Sequence, residues 1–142
     1  MKADMIAPCG LNCALCSRHL NENPPCPGCS GPDEFKPECC RVRCAIVRCA
    51  MRKELPGGFC DACEKYPCTD ILEKEIRYTS AYPMIETPFA NLAFIRKNGM
   101  DAFLNMEKKK WTCPSCGGVI CVHDGICVSC KAAYTHRVPS KA

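Results

Sequence analysis

Between residues 71 and 110 apolar side chains recur at helical spacing, and the ends of each run carry capping residues. In "TPFANLAFIRKNG" Thr87 is placed as an N-cap and Pro88 at the first helical position, where its missing N–H costs nothing. Phe89, Leu92 and Ala93 form the apolar stripe, with Arg96 on the same spacing. Lys97 supplies a cation near the C-terminal end, and Gly99 suits the left-handed position that ends a helix. A second helix is expected through Phe103, Leu104 and Met106 to "EKKKW". A third is expected over "DILEKEIRY", with Asp70 as cap and Glu73 completing a capping box. Ile71, Leu72 and Ile76 would face one side, with Tyr78 at the border; Glu75 interrupts them. These positions read as core rather than as a ligand groove.

Outside this helical spacer the pattern is governed by cysteine. The chain has 142 residues and 17 cysteines. Residues 1–70 hold 12 of them and residues 111–142 the other five; residues 71–110 hold none. Three zones follow: a cysteine-rich metal-binding lobe (1–70), a helical segment (71–110) and a zinc ribbon (111–142). Cysteine this dense signals either a secreted disulfide scaffold or an intracellular metal protein. "MKADMIAPCG" places an aspartate at position 4 and lacks the apolar run of a signal peptide. No window approaches a membrane span. The expectation is a cytoplasmic protein with reduced thiols and no membrane partner. An odd cysteine total also argues against complete disulfide pairing.

The C-terminal motif is "WTCPSCGGVICVHDGICVSCKAAY". Cys113/Cys116 and Cys127/Cys130 are two CxxC turns whose backbone N–H groups point at sulfur, and two such turns close a tetrahedral four-thiolate site that suits zinc. Gly117 frees the backbone after the first turn. "VICV" reads as a strand. The site would be closed and structural, with no open position for substrate. Cys121 reads as a small buried apolar residue and His123 as an ordinary surface histidine.

In the N-terminal lobe the pairs are Cys13/Cys16, Cys26/Cys29 and Cys60/Cys63; Cys9, Cys39, Cys40, Cys44, Cys49 and Cys68 are unpaired. Cys13/Cys16 with Cys26/Cys29 is the simplest first site. Cys60/Cys63 then draws partners from Cys40, Cys44, Cys49 and Cys68. The run "CRVRCAIVRCAMRK" has few breakers, so Cys40 and Cys44 would share a helix face and both reach one metal. Its arginines Arg41, Arg43, Arg48 and Arg52 read as a solvated face. The lobe has roughly a dozen large apolar side chains, too few to fold such a chain unaided. A structural zinc supplies an apparent ~10–16 kcal/mol at neutral pH. The fold class expected is therefore a small metal-stabilised α+β protein: an irregular, partly helical cysteine-rich lobe, a helical spacer and a C-terminal zinc ribbon.

The competing cofactor is an iron–sulfur cluster within residues 9–68. Cys9, Cys13 and Cys16 have the CxxxCxxC spacing of the cubane cluster in radical S-adenosylmethionine enzymes, but the chain is too short for their barrel. A small 4Fe-4S centre with a fourth thiolate such as Cys68 fits the same residues.

Formal net charge is +4, all of it from residue 75 onward, where 9 Lys+Arg face 5 Asp+Glu. Each ion held by four thiolates nets −2, so four such sites would carry the chain to −4. Charge alone is thus weak support for a nucleic-acid partner, and "KKKW" reads as favourable cations ending a helix. His19, His123 and His136 join no recognisable hydrolytic set, and no phosphate loop is present. The chain reads as an interaction or adaptor module with a protein partner, and the absence of a catalytic set points away from an enzyme. The alternative is an iron–sulfur redox protein. A surplus thiol set, Cys39, Cys40 and Cys121, motivates a weaker reading as a metal-handling protein.

"CGLNCALC", "CPGC", "CAIVRC" and "CDACEKYPC" together resemble the cysteine-rich signature of the domain of unknown function 3795 family of bacteria and archaea. "NLAFIRKNGMDAFLNMEKKKWTCPSCG" is similar to the tail of its longer members, which joins a helical segment to a ribbon. The resemblance implies metal binding at Cys9, Cys13, Cys16, Cys26, Cys29, Cys44, Cys49, Cys60, Cys63 and Cys68, and it implies no established activity.

Overall fold

Three helices form the frame on which the cysteine-bearing loops are laid. The computed structural model describes residues 1–49, 51, 55 and 58–135. Arg52 and His136 therefore lie outside the described residues. Two single-turn helices come first, α1 (Ser17–Leu20) and α2 (Glu38–Arg41), followed by α3 (Thr69–Ser80), α4 (Pro88–Asn98) and α5 (Met100–Trp111). Short 3-10 turns at Cys13–Leu15 and Cys60–Ala62 carry cysteines. The described residues contain no continuous strand; extended pairing is limited to isolated antiparallel bridges. No helix among them is long and apolar enough to cross a membrane.

α4 forms where its capping signals place it. Thr87 Oγ1 accepts the Ala90 N–H at 2.8 Å, Pro88 takes the first turn, and Gly99 (φ 89°) ends the helix. Its buried stripe is Pro88, Asn91 and Leu92, while Ala93 is exposed, so the inward face is rotated from the one expected. Asn91 Nδ2 donates to the Gly10 carbonyl at 2.9 Å, and Leu92 packs so closely on Gly10 that an added Cβ would lie 2.9 Å from Leu92 Cγ. With φ +92° as well, position 10 admits little but glycine. This contact seats the first cysteine loop on α4.

α3 starts one residue before its expected cap. Cys68 occupies the N-cap position without a side-chain bond, and Asp70 lies within the first turn, so the Asp70/Glu73 box does not form. The inward rows are Ile71, Glu75 and Tyr78, spaced i, i+4, i+7. Leu72 (41 %) and Ile76 (65 %) are exposed. The reason is Glu75, whose Oε1 accepts the Phe89 N–H of α4 at 2.9 Å. An acid faces inward here because it caps the neighbouring helix, and the two aliphatics beside it turn outward.

In α5 the fully buried side chains are Phe103, Glu107 and Trp111, one per turn. Trp111 Nε1 donates to Glu107 Oε2 at 3.2 Å. Glu86 is also buried, and Glu86 Oε2 and Glu107 Oε1 lack other partners. Burial, then the adjacent Glu86 carboxyl, raise the Glu107 pKa to about 9, so Glu107 is held protonated at neutral pH. Lys110 Nζ donates to the Ile85 carbonyl (2.9 Å) and Glu86 Oε1 (3.3 Å), and sits 5.2 Å from the Trp111 ring. The last lysine of "KKKW" is thus half-buried structure, while Lys108 and Lys109 are exposed.

Two apolar clusters divide the core. One gathers Ala7, Cys9, Cys13, Ile46, Ile71 and Leu92. The other gathers Leu15, Met84, Trp111, Cys113, Ile120, Val122 and Cys127, so residues beyond 111 pack on the N-terminal segment.

Candidate metal centre

The C-terminal cysteines are brought together by two turns. Thr112 bridges to Val119, Ile120 to Cys127 and Ile126 to Ala133. "VICV" contributes only bridge residues to this arrangement, because the turns at each cysteine pair break any longer ladder. Gly117 (φ 80°) donates its N–H to the Cys113 carbonyl at 2.8 Å and closes the first turn. The ligand atoms of Cys113, Cys116, Cys127 and Cys130 all lie within 4.8 Å of one another, so this group could hold a metal ion. Cys113 and Cys130 sulfurs are 3.7 Å apart, and those of Cys116 and Cys127 are 3.5 Å apart.

Fixed dipoles favour thiolate at this centre. The Tyr134 hydroxyl donates to Cys113 Sγ at 3.0 Å and, with the N–H groups of Cys116 and Ser115, lowers the Cys113 pKa to about 6. Backbone N–H groups of Cys130 and Ser129 likewise lower Cys127. At Cys116 the Gly118 N–H pulls downward, yet the thiols of Cys127 and Cys130 outweigh it and push the group up to about 11. Four sulfurs this close cannot all ionise without a cation between them. The only sequence signal for Tyr134 is an aromatic four residues past Cys130, the last cysteine of the motif.

Cys121 is buried, as expected, with its sulfur facing the N–H groups of His123 and Asp124. His123 is half-buried rather than an ordinary surface residue. Its Nδ1 accepts the Ser17 N–H at 3.1 Å and its Nε2 lies 2.9 Å from the Tyr78 hydroxyl.

The N-terminal cysteines fall into two neighbourhoods. Cys49, Cys60, Cys63 and Cys68 line a pocket of about 40 Å³ with Ile46 and Tyr66. Burial, then the nearby thiols of Cys68, Cys49 and Cys63, raise Cys60 to about 12. Cys9, Cys13, Cys16, Cys29, Cys40 and Cys44 line a larger cavity of about 230 Å³, joined by the exposed Cys39. The Cys29 N–H donates to Cys13 Sγ at 3.3 Å. Cys13, followed by burial, raises Cys29, and contact with Cys29 raises Cys40. Burial raises Cys9 to about 12 and Cys16 to about 11. Cys26 lies beside this group, near Cys16 and Cys40.

Helix α2 ends at Arg41, so Cys44 does not share a helix face with Cys40. Pro37 starts that helix and the chain leaves it at Val42, yet both cysteines reach the same cavity through the loop. Arg41, Arg43 and Arg48 are exposed, as a solvated face requires; Arg43 pairs loosely with Glu38 at 3.4 Å.

Comparison with protein-family models, with curated proteins and with solved structures finds no match to this chain.

Proposed function

We propose that this protein is a metal-binding interaction module whose C-terminal cysteines hold a structural zinc in a ribbon. The observation that carries this reading is the sulfur geometry at Cys113, Cys116, Cys127 and Cys130. Tetrahedral Zn–S bonds of ~2.3 Å put sulfurs ~3.8 Å apart. Two of the sulfur separations, 3.5 and 3.7 Å, lie close to that spacing. Four protein thiolates leave no coordination position for substrate, which favours a structural role.

The N-terminal cysteines hold further metal, so that ions tie both ends of the chain to the helical frame. A rigid surface of this kind serves as an adaptor for a protein partner. Among the described residues no histidine–acid pair or phosphate loop offers a hydrolytic alternative. Zinc content separates the outcomes for the metal: Cys116→Ser should lose about one zinc per chain relative to wild type, and unchanged zinc contradicts the ribbon. For the adaptor role, in-cell cross-linking should recover one recurrent protein with the wild-type chain and lose it with Cys116→Ser. Absence of any recurrent partner contradicts that role and leaves the metal assignment standing.

A further inference from the structure

We infer that the larger cysteine-lined cavity is the seat of a polynuclear iron–sulfur cluster, not of a single metal ion. The inference rests on the metal-binding reading of the N-terminal lobe and is independent of zinc in the C-terminal group.

Size is the first argument. A lone ion at ~2.3 Å from four thiolates holds those sulfurs in mutual contact and needs no void. Among the described residues only that C-terminal group has three or more ligand atoms drawn within 4.8 Å of one another. The N-terminal cavity offers about 230 Å³ with seven cysteines on its lining, Cys29 among them touching both Cys13 and Cys40. A cubane of iron and sulfide is bulkier than one ion and needs room of this kind.

Donor placement is the second argument. Cys9, Cys13 and Cys16 enter the cavity from one loop. The Gly10–Asn91 contact and the turn at Cys13–Leu15 fix that loop. Cys29, Cys40 and Cys44 approach from other segments. More than the four thiolates a cluster needs are present, beside one imidazole, His123, and one carboxylate, Glu86, on the same lining. A cluster with four thiolates carries net negative charge, and Lys74 and Arg77 of α3 line the same cavity to offset it. Tyr78 and His123 close one wall with a hydrogen bond already made between them. The smaller pocket, at about 40 Å³, lacks this room.

The test uses the full chain, purified without oxygen and then incubated with ferric iron, sulfide and excess thiol, the thiol reducing half of the iron to ferrous as the cluster forms. Iron and acid-labile sulfide should appear in equal amounts, about four of each per chain, with broad absorption near ~400 nm that bleaches on reduction. Cys13→Ala with Cys29→Ala should abolish this absorption while leaving zinc unchanged; Cys116→Ser should lose zinc and keep the iron. Thiol alkylation of the reconstituted wild-type chain provides a readout that does not depend on variant folding. Cys13 and Cys29 should be protected until iron is chelated. A folded chain that takes up zinc but no iron overturns the inference and leaves the zinc ribbon intact. Iron that persists in the double variant, or protection confined to Cys60 and Cys63, also overturns it.

Discussion

Tyr78 and His123, forty-five positions apart in the chain, meet with the phenol oxygen 2.9 Å from Nε2. Because Nδ1 accepts the Ser17 N–H, the neutral ring carries its proton on Nε2 and donates it to Tyr78. This joint, together with the Val122 N–H donated to the Leu15 carbonyl at 2.9 Å, docks the C-terminal cysteine module on the N-terminal lobe. His123→Ala should cost about 1–3 kcal/mol, since it also orphans the Ser17 N–H. Tyr78→Phe should cost about 1 kcal/mol. Denaturant unfolding of metal-loaded protein, run as a double-mutant cycle, should show the two losses to be non-additive. Additive losses would mean that the contact contributes nothing to docking.

The buried acids predict a pH dependence. Glu107 is raised from 4.5 to about 9, so the folded chain binds one more proton than the unfolded chain between those values. Its stabilising contribution is complete below 4.5 and is lost as pH rises toward about 9. Glu107→Gln keeps the shape and removes the titration. Stability measured from pH 5 to 9 should fall less steeply in this variant than in wild type at equal metal loading.

Glu75 predicts a helix-cap effect across elements. Glu75→Ala removes the acceptor of the Phe89 N–H and should cost about 0.5–2 kcal/mol, within the range of N-cap losses. Thermal unfolding of the metal-loaded chain measures it. An unchanged midpoint would mean that Thr87 alone suffices to start α4.

The outward aliphatics predict tolerance. Leu72→Gln with Ile76→Gln should change folding stability by no more than about 0.5 kcal/mol each, as exposed positions do. Denaturant midpoints check this, and a large loss would place these side chains in the core.

Local signals were the legible part of this chain. Thr87, Pro88 and Gly99 act within one turn of themselves, so the α4 boundaries could be read directly. The two C-terminal CxxC pairs were also readable, because the intervening ten residues return the chain on itself. What was hidden depended on partners distant in sequence. Glu75 faces inward only because Phe89 is there to be capped, and that contact rotates Leu72 and Ile76 to solvent. For Cys60/Cys63 the sequence offered Cys40, Cys44, Cys49 and Cys68 as partners, and choosing Cys49 and Cys68 among them depends on packing beside Ile46 that periodicity does not encode. Tyr134 reaches Cys113 by the same kind of return.

We propose that metal held by sulfur, more than apolar burial, keeps the cysteine-bearing segments in place on α3, α4 and α5. The most direct test is an amide-resolved NMR spectrum of the full chain, recorded as purified without oxygen and again after exhaustive chelation under reducing conditions. Dispersed signals from residues 5–49 and 112–134 should collapse on chelation. A spectrum that stays dispersed throughout, with metal analysis confirming an empty protein, would contradict it.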